Sequence, residues 1–253
     1  MNYIVGTIDF AQIALYAFWA FFAGLVFYLV REGMREGYPT ISEVDGKPSS
    51  KAFILPRPGT KTFLRRDGTT NTVPDNGDMD RELAAEPANR FTGAPMTPTG
   101  DPLVDGVGPA GYALRPEEPD RNAEGEPRQR PMRFDNEFSI STLDADPRGF
   151  DVVCCDGESP GKVADIWIDR SEQIIRYFEV ETSEGMKFVP YTLARVNAGA
   201  KTLQVRSVTS DQFLRSPGIA ASDQITLREE DRISAYFSGG TLYATTARTE
   251  PLI

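Results

Sequence analysis

Apolar positions run unbroken from Phe10 to Val30 in "FAQIALYAFWAFFAGLVFYLV", where Gln12 is the one strongly polar side chain and no charge occurs. A helix rising 1.5 Å per residue over that stretch crosses about 30 Å of hydrocarbon. The pattern predicts one transmembrane helix from about Phe10 to Arg31, prolonged for a turn or two through "REGMREGYP", with Gly37 as cap and Pro39 as stop. A cleaved leader needs a basic segment and a shorter apolar core, and residues 1–10 hold no Lys or Arg. Within the span, Ala20 and Gly24 form a small-xxx-small pair that permits close approach of another helix, and Trp19 sits beside them at mid-span. Arg31, Arg35 and Tyr38 mark the exit from the membrane, while Asp9 is the only charge before it. The positive-inside rule places the N-terminus outside and everything after residue 31 in the cytoplasm.

After about residue 132 the pattern changes period. "GKVADIWIDR" and "IIRYFEVE" alternate β-branched and aromatic residues with polar ones around a short "SEQ", and "MKFVPYTLARVN" and "KTLQVRSV" follow after the turn signals "SEG" and "NAGA". These predict four or more antiparallel strands in a small barrel or sandwich. In the second strand Tyr177, Glu179 and Glu181 point to one face and Arg176, Phe178 and Val180 to the other. "LREEDRISAYF", residues 227–237, predicts a short helix with acids in its first turn. A mainly-β domain over residues 132–253 is large enough to hold its own core.

Between helix and strands lies a segment of different texture. Residues 39–131 contain fourteen of the nineteen prolines and few apolar runs longer than three. Composition alone gives a disordered linker; the other reading is an extended strap, residues 38–131, ordered by lying on another protein. Its apolar islands "KAFILP", "KTFL" and "PLVDGVGPAGYAL" are then docking points.

Charge and chemistry narrow the function. Lys+Arg total 27 against Asp+Glu 37, a net charge of −10, so phosphate backbones are repelled and nucleic acid is excluded as a partner. The chain has no histidine, which removes Ser/His/Asp and Cys/His nucleophile systems and HExxH metal sites. The two cysteines, Cys154 and Cys155, are adjacent in "FDVVCC" and read as small buried residues near a strand, not as a zinc site or a disulfide. An enzyme here would work with carboxylates, lysine or tyrosine alone, and no cleft motif supports one.

"AFWAFFAGLVFYLVREGMREGYP", "PTGDPLVDGVGPA", "GKVADIWIDRSEQIIRYFEVE" and "LREEDRISAYFSGGTLYA" occur in colinear order across the chain. Together they resemble the H subunit of the purple-bacterial photosynthetic reaction centre. The resemblance implies one transmembrane helix, a proline-rich strap and a cytoplasmic PRC-barrel. It also implies a non-enzymatic subunit that caps the L and M subunits in the bacterial inner (chromatophore) membrane, beside lipids and a light-harvesting ring. Bacteriochlorophyll, bacteriopheophytin, quinones and non-haem iron would then sit on those partners, with no cofactor bound by this chain.

The resemblance further implies proton delivery to a buried secondary quinone. Asp169 and Glu172 match the family's inner relay, with Arg176 as the basic neighbour, and buried acids there are expected to have raised pKa values. The alternative is that both acids are solvated residues of a hairpin turn. At the proton entry, where the family carries two histidines around a glycine, this chain has Glu124 and Glu126 in "AEGEP". Either these glutamates collect protons or the entry has moved, for instance to Asp120 or Glu118. From a different class, a membrane-anchored PRC-barrel adaptor that recruits another protein is the alternative function.

Overall fold

A computed structural model describes residues 3–5, 8–35, 58–66, 68–73, 83–91, 93–135 and 137–249. The chain divides into two compact units, one of residues 1–80 and 89–95, the other of residues 81–88 and 96–253.

In the first unit, β1 (Tyr3–Val5) pairs antiparallel with β2 (Ile8–Asp9), which leads directly into α1 (Phe10–Gly33). Asp9 caps the helix by accepting a hydrogen bond from the Ala11 amide at 3.1 Å, satisfying one of the free N–H groups of the first turn. Gln12, the one polar side chain in the apolar run, donates to Tyr16 Oη at 3.0 Å one turn on. Its amide is thus partly satisfied within the helix. None of α1 is buried against the rest of the chain, and its mean hydropathy of 2.2 makes it the one described helix long and apolar enough to cross a membrane. Trp19 packs edge-on against Phe18 and Phe22, and the Gly24 face is open.

The helix ends sooner than the sequence predicts. Met34 is its cap, and its backbone N–H returns to the Arg31 and Glu32 carbonyls. Arg35 lies past the helix, with Nε and Nη2 on the Glu32 carboxylate at 2.8 and 2.9 Å and Nη1 on the Gly59 carbonyl. Lys61 Nζ joins the same carboxylate at 2.7 Å. Arg35 is therefore a buried clamp on the following chain rather than a free interfacial cation, because Glu32 stands one turn before it. Gly37, Tyr38 and Pro39 lie outside the described residues, as does "KAFILP". "KTFL" forms β3 (Lys61–Leu64), an exposed strand paired antiparallel with β4 (Thr70–Val73).

The second unit is built on a seven-stranded sheet. After the small ribbon of β5 (Ala85–Pro87) and β6 (Met96–Pro98) come α2 (Pro102–Asp105), a 3-10 turn at Gly108–Ala110, and β7 (Gln129–Pro131). β8 (Asp151–Val153), β9 (Gly161–Asp169), β10 (Ile174–Thr182), β11 (Gly185–Pro190), β12 (Ala194–Asn197) and β13 (Thr202–Val205) complete the sheet, followed by α3 (Ser210–Leu214) and α4 (Leu227–Tyr243). The order is β11-β10-β9-β8-β13-β12, with β7 also on β9. All pairs are antiparallel except β8 with β13.

The β9–β10 hairpin follows the predicted alternation, but residues 177–180 are buried on both faces. α4 lies against this hairpin, with Ser234 hydrogen-bonded to Tyr177, and β7 extends the sheet along the edge of β9. The register shifts between Ile175 and Tyr177 and between Glu179 and Val180, and such bulges bend a strand around a core. Trp167, Phe188, Phe213 and Phe237 fill that core with the aliphatic residues of β9, β10 and β13. Cys154 is buried in it with its thiol pushed up by desolvation, while Cys155 is only half-buried.

α4 runs to Tyr243, six residues beyond the expected end at Phe237. A capping box of Thr226 and Glu229 starts it, and the pair Gly239–Gly240 does not break it. Those glycines are needed for packing. A Cβ on Gly239 would stand 2.5 Å from Ala110 Cβ and 2.9 Å from Leu103 Cδ2, and one on Gly240 would meet the Ser207 carbonyl at 2.3 Å. The island "PLVDGVGPAGYAL" thus places Leu103 and Ala110 in the core of its own chain, against its own C-terminal helix. This unit accordingly takes in residues well before 132, because its core needs them.

Candidate functional site

Asp169 ends β9, and the turn that follows is organised around its carboxylate. Oδ1 accepts the Ser171 and Glu172 amides at 3.0 and 2.9 Å, and the Gln173 amide returns to the Asp169 carbonyl at 2.7 Å. Gln173 takes a positive φ of 58° to close the turn into β10. Two arginines then converge on the same carboxylate. Arg128 Nε reaches Oδ1 at 2.9 Å, and Arg176 reaches Oδ2 through Nη2 at 3.0 Å and Nε at 3.2 Å. Asp169 has no solvent exposure, whereas the Glu172 side chain is 50% exposed and bridges the two guanidinium groups, with Arg128 Nη2 on Oε1 and Arg176 Nη2 2.8 Å from Oε2.

The third carboxylate of the cluster is Asp120, partly exposed like Glu172, whose Oδ2 takes Arg128 Nη1 at 3.1 Å. Asp120, Asp169 and Glu172 therefore share one arginine, and Arg128 was not singled out by the sequence reading. Its guanidinium is held further into the charged form by the hydrogen bonds it donates to Asp169 and Glu172. Arg176 adds a second positive centre at the position expected for it.

Electrostatics divides the carboxylates. Burial pushes Asp169 up, but hydrogen bonds from Arg128, the Glu172 amide and Arg176 outweigh it, and the net pKa is below the ordinary value of 3.8. This reverses the expectation of a raised pKa at Asp169, because two guanidinium groups accompany it into the interior. The raised carboxyl is Glu230, in the first turn of α4, where desolvation exceeds the opposing effects of Gln129 and Arg176. Gln129 Nε2 donates to Glu230 Oε2 at 2.6 Å, and Gln129 Oε1 is buried without a hydrogen-bond partner. Next along β10 from Arg176, Tyr177 is buried, hydrogen-bonded to Ser234, and its phenol is pushed up by desolvation. Sequence reading saw Glu230 only as a first-turn acid. Nothing in its local spacing marks it, since Gln129 comes from a strand a hundred residues away.

The other expected entry residues lie apart from this cluster. Glu124 and Glu126 are exposed on a tight turn from Arg121 to Pro127, closed by the Asn122 side chain on the Glu126 amide at 2.8 Å. Glu118 is exposed, with its carbonyl receiving the Leu227 amide at 2.9 Å. Of the four entry candidates, Asp120 is the one whose carboxylate touches an arginine of the cluster.

Two family models match the chain. The photosynthetic reaction centre H-chain N-terminal region matches residues 2–134, and the PRC-barrel domain matches residues 141–212. The second falls on β8 to β13 of the seven-stranded sheet, and the first runs from β1 and α1 through β7. A single apolar N-terminal helix fits a membrane-anchored member of that group. With a match over more than half its length, this chain belongs to the photosynthetic reaction-centre H-chain family.

Proposed function

We propose that this chain is the non-catalytic cap of a reaction centre, seated on its L and M subunits at the cytoplasmic face, and that it relays protons toward a secondary quinone held by those partners. One observation carries the relay. Carboxylates graded from half-exposed Glu172 and Asp120 to buried Asp169 gather on Arg128, with Arg176 completing the cluster and Glu230 beyond it.

In this reading the residues have different tasks. Glu172 exchanges protons with solvent at the rim. Asp169 stays ionised at neutral pH and is a positioning residue, fixing both guanidinium groups and the Glu172 amide. Glu230, partly buried and raised by desolvation, is the neighbouring carboxyl most disposed to take up a proton, and the unpartnered Gln129 Oε1 beside it offers a water its next acceptor. The quinone supplies the redox chemistry; this chain supplies protons and excludes bulk water. The N-terminus is then periplasmic, and lipids and a light-harvesting ring surround α1.

The test is Glu172→Gln in the assembled complex, read by flash-induced absorbance. Electron transfer to the primary quinone should keep its rate, and the proton-coupled second electron transfer should slow about tenfold or more. Wild-type second-electron kinetics from about pH 6 to about pH 9 would remove Glu172 from the path.

A further inference from the structure

Arg148, Arg215 and Arg228, which line other depressions of the second unit, each meet a carboxylate. One depression gathers arginines that do not. It has a volume of about 350 Å³ and is lined by Arg195 on β12, Gln204 on β13, Arg206 and Ser207 just after it, Thr241 near the end of α4, and Arg248. None of its three arginines forms an ion pair among the described residues, and no Asp or Glu lines it. In a chain of net charge −10, such a gathering needs a reason.

The three cations are held there by backbone geometry. Arg195 is the cross-strand partner of Gln204, so their side chains share a face of the β12–β13 pair, and Arg206 lies two residues further along that edge. Arg206 Nη2 reaches the Gln204 amide oxygen at only 3.4 Å. Arg248 donates to three backbone carbonyls, those of Ser207 at 3.2 Å, Gly240 at 3.0 Å and Arg206 at 2.8 Å. Those bonds fix the guanidinium and leave its charge uncompensated. Like charges brought together on neighbouring strands repel, and an anion between them removes the cost.

A second observation points the same way. Ser207 is 4% exposed, and its hydroxyl is buried with no hydrogen-bond partner. A buried hydroxyl left unpaired costs free energy, so it calls for a partner. We propose that this depression binds a phosphate-bearing anion, with Arg195 and Arg206 as the charged jaws, Arg248 as the fixed base and the Ser207 hydroxyl as an inner donor. Phosphate suits the site because planar guanidinium forks engage its oxygens in pairs and its two negative charges match a multiply cationic cluster better than a carboxylate does. The same chemistry is presented by free phosphate and by the phosphomonoester headgroup of a lipid.

Full-length protein in an uncharged detergent, at about 0.15 M salt to screen diffuse attraction, is titrated by calorimetry with inorganic phosphate and separately with dihexanoyl phosphatidic acid, a soluble lipid. Saturable 1:1 binding of either probe is expected, and the tighter of the two identifies the source. Arg195→Gln with Arg206→Gln should weaken it about tenfold or more, both residues being exposed and outside the core. Arg248→Lys, which keeps the charge but loses the fork, should weaken it less. Absence of saturable binding of both probes overturns the proposal, as does an affinity unchanged in the double variant.

Discussion

The indole of Trp167 donates to Glu179 Oε2 at 2.8 Å with both side chains shut from solvent, and Arg133 shares that oxygen while also reaching Asp165 Oδ2 at 3.1 Å. A carboxylate in the middle of the core is tolerated because a buried N–H and a guanidinium meet it. Glu179→Ala leaves the buried Trp167 N–H unmatched and takes one of its two carboxylates from Arg133, which keeps Asp165, and should lower stability by about 3 kcal/mol, with Glu179→Gln costing clearly less. Thermal unfolding of the full-length protein, compared across the three forms, measures the difference.

Asp169→Asn separates structural clamping from exposed pairing. The folded pKa of Asp169 lies below its unfolded value, so its contribution is fully present above the ordinary carboxylate range and is lost as pH falls through the folded value. The variant should lose about 2–4 kcal/mol at neutral pH and show a flatter acid limb. Glu172→Gln, at the half-exposed rim, should cost no more than about 1 kcal/mol. Stability against pH for both variants checks this, and equal losses would count against the division of tasks.

Glu230 has the opposite sign. Its folded pKa is raised, so the folded state holds a proton the unfolded chain has given up, and stability falls as pH climbs from the ordinary value of 4.5 through the raised one. Glu230→Gln should abolish that fall. Melting temperature followed upward from about pH 4 in wild type and variant reads it directly.

Gly239→Ala should be destabilising although alanine is the better helix former. The new methyl would stand 2.5 Å from Ala110 Cβ and 3.0 Å from Ala110 Cα, and overpacking at about 1–3 kcal/mol exceeds the gain of about 1 kcal/mol in helix propensity. Hydrogen exchange should quicken at the amides of Val104 to Gly111, which form the turns held against that surface.

The elements legible in the sequence are those whose signal is local. α1 follows from an apolar run, and β9, β10 and β11 from alternation around "SEQ" and "SEG". The relay candidates Asp169, Glu172 and Arg176 lie within one hairpin and are found together for that reason. Arg128 and Glu230 were not legible, since they reach the hairpin from β7's approach and from α4, and no periodicity links positions so far apart. "PLVDGVGPAGYAL" was legible as an apolar island but not as the partner of Gly239, because a glycine that looks like a helix breaker conceals the flat surface it creates. The early end of α1 escaped for a similar reason. Arg35 reads as a helical cation until Glu32 and the Gly59 carbonyl are seen to hold it.

The closure of Leu103 and Ala110 on Gly239 also sets an order of events during synthesis. A ribosome releases residues 102–110 long before residue 239, so the apolar surface of that early segment has no place to go until the last helix has been made. Closing a loop of that length adds entropy cost and delay. Meanwhile α1 has already left the ribosome and can enter the bilayer. The nascent chain is thus attached at its beginning and unfinished at its end. The sheet is sealed only when the final turns of α4 arrive, so truncation within those turns would leave a membrane-anchored chain with its second unit open.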